Sequence, residues 1–407
     1  MLNEETIEKL GERLAIRLEK LNTYTLKQIA KKIKEIKTIT PSDSHKLAQI
    51  MQYGGDYDKI VKEISKISEI NKKELTKIFK EVAKKDYEFA EQFYKYKNVK
   101  YIPWEENIML QRQAELLATQ TSNTYMNFAN TRAIGFSVKD INGKTIFKSL
   151  DNTIKDTIDE AILSISQGET TFEDEMYSIM NQLGSSGLKY MDYSSGYSRR
   201  LDSSVRMAIK DGLRQLHTEN QLQFGKEFGS DGVEVTVHAM PAPDHAEVQG
   251  RQFSNEEFDK FQNDEDAVDY KGKKFPSIAE ETGYDRRSIG QYNCYHTIYS
   301  IVLGVSEPNY TDEELQKIID QTNETITFDG KEYNMYECTQ LQRKLETEIR
   351  KQKDLQIMGK ASGNQELIDK SEKRINILTN KYFKLSEKSG LPTKLDRLRV
   401  DEIKNIR

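Results

Sequence analysis

A chain of 407 residues, 31% charged and 36% hydrophobic, is long enough for about two or three domains with cores of their own. Its net charge is −5 and its mean hydropathy −0.76, and no stretch approaches the roughly 20 apolar residues that a bilayer crossing needs, which excludes a helical membrane protein. Seven prolines and 22 glycines favour long helices over an all-β fold, the opening Met-Leu-Asn-Glu-Glu has no apolar core for a secretory signal, and two cysteines, Cys294 and Cys338, make no disulfide framework, so a reducing compartment is expected.

In chain order, Ile7, Leu10, Leu14, Leu18 and Leu21 recur at intervals of three and four and predict a helix over 4–38. Thr40-Pro41-Ser42 breaks it, with Ser42 or Ser44 capping the next helix. Residues 44–95 read as a series of short helices, with Gly54-Gly55 as one break and Asn71 as one start. Tyr101-Ile102-Pro103-Trp104 reads as an extended anchor whose tryptophan packs on the helices. A further helix is expected over 105–131, with Gln, Asn and Thr on its polar face.

Asn142-Gly143 predicts a hairpin with a type I′ turn. Ile154, Ile158, Ile162 and Ile165 line one face of a helix over 152–166. Gly184-Ser185-Ser186-Gly187 and Tyr193-Ser194-Ser195-Gly196-Tyr197 mark loops. Asp202 or Ser203 caps a helix carrying Val205, Ile209, Leu213 and Leu216. Residues 233–237 alternate as a strand that ends at His238. Asp329-Gly330 is a second hairpin signal. Two charged helices over 335–358 and 365–387, joined by a short turn at 359–364, make an antiparallel helical hairpin. The expected fold class is therefore α+β and predominantly helical. A helical region over 1–132 precedes a small α+β domain with short antiparallel strands over 133–334, and a helical hairpin and tail occupy 335–407.

Charge divides the chain further. Residues 1–100 carry 22 Lys/Arg against 16 Asp/Glu, residues 231–330 carry 8 against 21, and residues 331–407 carry 18 against 12. An acidic middle between basic ends suits protein contacts better than coating of nucleic acid, which needs a continuous basic face. The basic N-terminal helices are expected to bind partners, with residues 1–38 removable from a remainder that still folds.

The residues able to carry chemistry collect in two segments. His238 leaves the strand, Pro241 and Pro243 stiffen the following loop, and Asp244 stands before His245 as a turn or helix start. Gln249-Gly250-Arg251 implies a close backbone approach, with Gly250 in a conformation closed to other residues. About fifty residues later comes Asn293-Cys294-Tyr295-His296, entering an apolar run.

Three readings compete. His238, His245, Cys294 and His296 are acceptable zinc ligands, although their spacing is not that of a zinc finger. Cys294 with His238 or His245, oriented by Asp244, would be a Cys–His catalytic pair, but no nucleophile signature surrounds the cysteine. The third reading is structural: His and Asn side chains bond buried backbone groups and fix an irregular core. The third is preferred, so His238, Asp244, His245, Gln249, Gly250, Asn293, Cys294 and His296 form a structural cluster, with no catalytic residue, metal or cofactor assigned. Cys294 then reads as a buried small hydrophobe, Cys294→Ser is expected to assemble normally, and no stoichiometric zinc is expected. His238→Ala is expected to destabilise by about 1–3 kcal/mol through an unsatisfied partner.

Elsewhere the chemistry is thin. Gly225, Gly229 and Gly232 precede a strand, the wrong order for a dinucleotide loop. Arg199, Arg200 and Arg206 offer phosphate-binding groups but read as exposed solubilising residues, and the acidic run over 256–266 as a solvated face without the order of an EF-hand.

Several segments in fixed order resemble a family. They include Tyr193-Ser194-Ser195-Gly196-Tyr197-Ser198-Arg199-Arg200-Leu201-Asp202, the strand over 232–238 followed by Asp244-His245 and Gln249-Gly250, then Gly283-Tyr284, Asn293-Cys294-Tyr295-His296, Tyr310-Thr311-Asp312-Glu313-Glu314-Leu315, and Tyr336-Glu337-Cys338-Thr339-Gln340. Over roughly residues 20–385 the chain resembles the tailed-phage minor capsid proteins of the "minor capsid protein 2" group, related to Mu-type head-morphogenesis proteins. It departs at Tyr295, where many relatives carry arginine, and around Gly290, where relatives often carry Cys-Gly or Trp. The resemblance implies a low-copy structural protein of a phage head, made in the bacterial host cytoplasm and resident in the virion head. It implies partners among the portal, major capsid and scaffold proteins, a place near the portal, and a role in head assembly, with contact to packaged DNA and passage with it during ejection open to it. It implies no membrane and no cofactor. The competing class is a virion-delivered enzyme or toxin working through His238, His245, Cys294 and His296.

Overall fold

No glycine or proline interrupts residues 56–96, and the chain there forms one 41-residue helix rather than the expected series of short ones. Asn71 does not start a helix. It is buried within this one and accepts a hydrogen bond from Arg17 at 3.2 Å. A lone asparagine costs a helix only a few tenths of a kcal/mol relative to good formers, about the size that packing overrides.

The computed structural model describes residues 4–35, 56–96, 98–126, 134–140, 142–150, 152–153, 170, 172–191, 198–283, 285–290 and 294–400. The break and caps expected over 40–44, Gly54-Gly55, most of the helix over 152–166, the Tyr193 to Tyr197 loop and Asn293 lie outside them. The described chain is α+β and predominantly helical, with short antiparallel strands and a C-terminal helical hairpin. It divides into two compact units, each assembled from separated segments: Met1–Gly11, Lys72–Thr124 and Met207–Thr339 in the first, Glu12–Asn71, Tyr125–Arg206 and Gln340–Arg407 in the second.

In the first unit, Leu75, Ile78, Phe79, Val82, Ala83, Tyr87, Ala90 and Tyr94 form a buried stripe at helical spacing. Trp104 is buried as expected, and Tyr101 stacks on Tyr87 at 4.8 Å. His217 and Asp86, both buried, meet at 2.8 Å. A three-stranded antiparallel sheet has β5 (Gly232–Val235) at its centre, between β6 (Gln252–Ser254) and β9 (Ile298–Ile301), and β7 (Ala267–Val268) pairs with β8 (Lys274–Phe275). All four β5 residues are buried, so the strand reads as a core element on both faces, and it stops three residues before His238. Val233, Val235, Phe253, Phe258, Phe261 and Ile298 pack into one cluster around it. The Asp329-Gly330 turn has positive φ at both residues, 50° and 76°, the type I′ geometry that the sequence predicts.

In the second unit, β1 (Ile134–Lys139) and β2 (Thr145–Ser149) pair in a hairpin within the four-stranded sheet β2-β1-β3-β4, where β3 is Lys189–Met191 and β4 is Ser198–Arg200. The Asn142-Gly143 turn is not type I′. Only Gly143 has positive φ, and the Asp140 carboxylate accepts from the backbone of Asn142 and Lys144 instead, which makes a longer loop. The Gly184 stretch is helical, inside Phe172–Ser186. A Cβ on Gly184 would lie 2.7 Å from Leu355, so its smallness serves packing rather than a turn. Met335–Ser362 and Gln365–Ser389 form the expected hairpin. Gln342 bonds Ser386 and Glu346 bonds Tyr382, pairs nested about a turn that Asn364 caps.

The N-terminal helix (Glu4–Glu35) is no detachable arm. It buries Ala15, Leu18, Leu21, Leu26, Ile29 and Ala30, and Asn22 donates to Asp354 at 3.0 Å and accepts from the backbone of Leu188 at 2.6 Å. Removing residues 1–38 strips the second unit of core. Arg200 is likewise no solubilising residue. It is buried, bonded to Asp202 at 3.3 Å and Asp354 at 2.9 Å, and Arg350 also pairs with Asp202. Burial opposes the Asp202 charge, but Arg350, Arg200 and Arg206 outweigh it and hold its carboxyl well below the usual range.

Candidate functional site

The β5–β9 pairing sets up the site. Val235 lies opposite Ile298, and the two chains stay together beyond the sheet: Thr236 N donates to Thr297 O at 3.0 Å, and Thr297 N to Thr236 Oγ1 at 2.9 Å. This carries residues 236–238 alongside 294–297. The loop that follows returns to its origin, with Gly250 N donating to Val235 O at 2.8 Å and Val235 N to Arg251 O at 3.0 Å. Gly250 sits at φ 70°, and a Cβ there would stand 2.4 Å from the Leu315 side chain, so both backbone and space demand glycine.

Closure of this loop brings four buried side chains together. Cys294 Sγ lies 3.2 Å from His245 Nδ1 and 3.3 Å from His296 Nδ1. His245 Nε2 meets the Arg287 carbonyl oxygen at 2.6 Å, and His296 Nε2 meets Gln249 Oε1 at 3.2 Å. Gln249 Oε1 also accepts from the backbone N–H of His238 at 3.3 Å. His245, Cys294, His296 and Gln249 are all 2% exposed or less. Among the described residues, His245, Cys294 and His296 are a group whose ligand atoms all lie within 4.8 Å of one another.

The other expected members sit around this centre. His238 is half-buried, its ring centroid 4.2 Å from that of His296 and its Nδ1 2.8 Å from the Ala239 carbonyl. Asp244 starts no helix; it grips the Arg287 guanidinium through two bonds at 2.9 and 3.1 Å. Tyr295 lies under Arg214, whose guanidinium carbon is 4.9 Å from the ring centroid.

Burial governs the electrostatics. It pushes the His238 imidazole down to about 4, His245 below its ordinary value and His296 well below it, where the neighbouring imidazoles and Arg287 add to the effect. Burial likewise pushes the Cys294 thiol up, against the backbone N–H groups of Gly290 and His296. The imidazoles are thus neutral lone-pair donors, and the thiol lacks the depressed pKa of a nucleophile.

Sequence reasoning missed the carbonyl of Arg287 as a partner and the buried pairs His217–Asp86 and Arg200–Asp354. Arg200-Leu201-Asp202, and Arg350 four residues before Asp354 on one helix face, were the available signals for the second unit. Nothing marks Asp86 among the helix acids.

The site is a pair of loops locked by buried polar groups, set in a chain without a helix long and apolar enough to cross a membrane among the described residues. Such a chain matches a family across nearly its whole length: the model for phage minor capsid protein 2 covers residues 2–383, and the chain belongs to that family. The family is one of structural proteins of the phage particle. No curated protein matches the chain. No solved structure matches it.

Proposed function

We propose that this chain is a low-copy structural protein of a tailed-phage head that acts in head assembly near the portal and makes no covalent chemistry of its own. The observation that carries the reading is the family match over residues 2–383. Its partners are then the portal and the major capsid or scaffold proteins, and its place is the virion head after synthesis in the host cytoplasm. The raised Cys294 thiol and the neutral, buried imidazoles support a structural rather than a catalytic use of the two loops.

A surface of the second unit supports contact with packaged DNA. A cavity of about 880 Å³ is lined by Lys139, Lys189, Arg199, Arg343 and Lys351, and by Arg200, whose charge Asp202 and Asp354 meet from behind the wall, while Glu348 pairs with Lys351. Burial lowers the Lys189 pKa, and Lys351 and Arg200 lower it further, the mark of an electropositive pocket.

The test is a nonsense mutation in the gene of the parent phage, with heads counted by electron microscopy and the portal recovered from lysates. Fewer or aberrant heads, restored by the chain in trans, and co-purification of the chain with portal are expected. Normal heads of normal infectivity without the chain would overturn the reading.

A further inference from the structure

We propose that His245, Cys294 and His296 hold a divalent cation of the zinc type, which ties the loop after β5 to the segment leading into β9. The partner of His245 Nε2 is a backbone carbonyl oxygen, which only accepts, so the ring hydrogen is on Nε2. Gln249 is oriented by the backbone N–H of His238, which only donates, so its oxygen faces both that group and His296 Nε2. The His296 hydrogen is therefore also on Nε2. Both imidazoles then turn a bare Nδ1 lone pair toward the same sulfur, at 3.2 and 3.3 Å. A thiol has one hydrogen and satisfies one of them. In a site this buried the second is left facing a sulfur lone pair, and a cation is the group that satisfies all three donors at once.

The rest of the site agrees. Nδ1 ligation with Nε2–H given to a carbonyl is the outer-shell arrangement that fixes a metal-binding imidazole. Cys294 Sγ also accepts the backbone N–H of His296 at 3.4 Å, a contact that favours thiolate. Metal–sulfur and metal–nitrogen bonds of zinc in tetrahedral geometry separate S and N by about 3.6 Å, so each sulfur–nitrogen pair opens by about 0.3–0.4 Å on binding. Two imidazoles and a thiolate suit zinc and exclude magnesium or calcium, which take oxygen. His238 stands beside the group with Nδ1 turned to the Ala239 carbonyl, which leaves its Nε2 as the lone-pair atom. The preference for a metal-free cluster drawn from sequence gives way here because spacing along the chain cannot assign tautomers. The proposal does not depend on the capsid role, since a structural zinc serves any fold that needs these loops joined.

The experiment uses the full chain, purified from zinc-supplemented cells and, in parallel, stripped and reloaded with cobalt(II). About one zinc per chain and a sulfur-to-cobalt charge-transfer absorption are expected, with both kept by Cys338→Ser. Cys294→Ser is expected to lose the charge-transfer absorption, and His245→Ala to weaken metal binding by about tenfold or more. Because either variant could unfold, the wild-type chain provides a second reading: chelation lowers its melting temperature and zinc restores it. Wild-type protein with no bound zinc, no cobalt absorption and no melting response would overturn the proposal. So would a Cys294→Ser variant that keeps the charge-transfer absorption.

Discussion

Cys294 Sγ and His245 Nδ1 lie 3.2 Å apart although 49 residues separate them in sequence. The contact is made by backbone, not by the two side chains alone: Thr236 and Thr297 hold the strand ends together, and Val235 pairs with Gly250 and Arg251 to close the loop. The cluster is therefore a reporter of whether the sheet of the first unit is correctly formed.

Gln249 is the residue whose removal should reveal this most plainly. Its oxygen serves the His238 backbone N–H and His296 Nε2, and it is 1% exposed. Gln249→Ala is expected to cost about 1–3 kcal/mol by leaving buried donors unpaired. Urea unfolding followed by circular dichroism measures it. A loss below about 0.5 kcal/mol, the size of a neutral surface change, would contradict the geometry. His238→Ala should be milder, because that ring is only half-buried.

Gly250→Ala tests the loop closure independently. The positive φ of 70° alone costs a residue with a Cβ about 1–3 kcal/mol, and the Leu315 side chain must also move. A melting temperature lowered by several degrees is expected. An unchanged one would mean that the loop takes another path.

How much of this was legible in the sequence varied with the physics involved. The hairpin at Asp329-Gly330 and the helical hairpin near Asn364 were readable because local turn chemistry decides them. The Asn142-Gly143 turn was half-readable: the pairing followed, but Asp140 bonded the backbone and changed the turn type. Asn71 misled because helix propensity is weak beside packing. At the site, residue types flagged His245, Cys294 and His296, yet the partner of His245 is a main-chain carbonyl at Arg287 that no side-chain pattern announces. The buried Arg200–Asp354 pair was illegible for a related reason, since burial of a charge depends on long-range packing 154 residues away.

Glu19 should make stability depend on pH. It is buried, one of its oxygens has no hydrogen-bond partner among the described residues, and burial, then Asp202, push its carboxyl up to about 8. The folded state thus holds a proton that the unfolded chain releases above about 4.5, so the contribution of Glu19 to stability is lost as pH rises from about 4.5 to 8. Glu19→Gln is expected to remove that slope and to be more stable than wild type at pH 8 by on the order of a few kcal/mol. Parallel slopes for the two proteins across this window would contradict the assignment.

The basic cavity predicts salt-dependent binding of duplex DNA by the full chain. A Lys139→Gln, Lys189→Gln double variant should bind more weakly and lower the slope of log K against log salt by about 1–2. Binding that does not respond to salt, or a variant indistinguishable from wild type, would remove DNA from the partners.

The capsid role is tested most directly by quantitative mass spectrometry of purified phage particles and of tailless heads from the parent phage. This chain is expected in both, at a copy number far below that of the major capsid protein, with peptides from the N-terminal helix through the C-terminal hairpin. Its absence from heads, or its presence only in tails or in the soluble lysate, would contradict the assignment to the head.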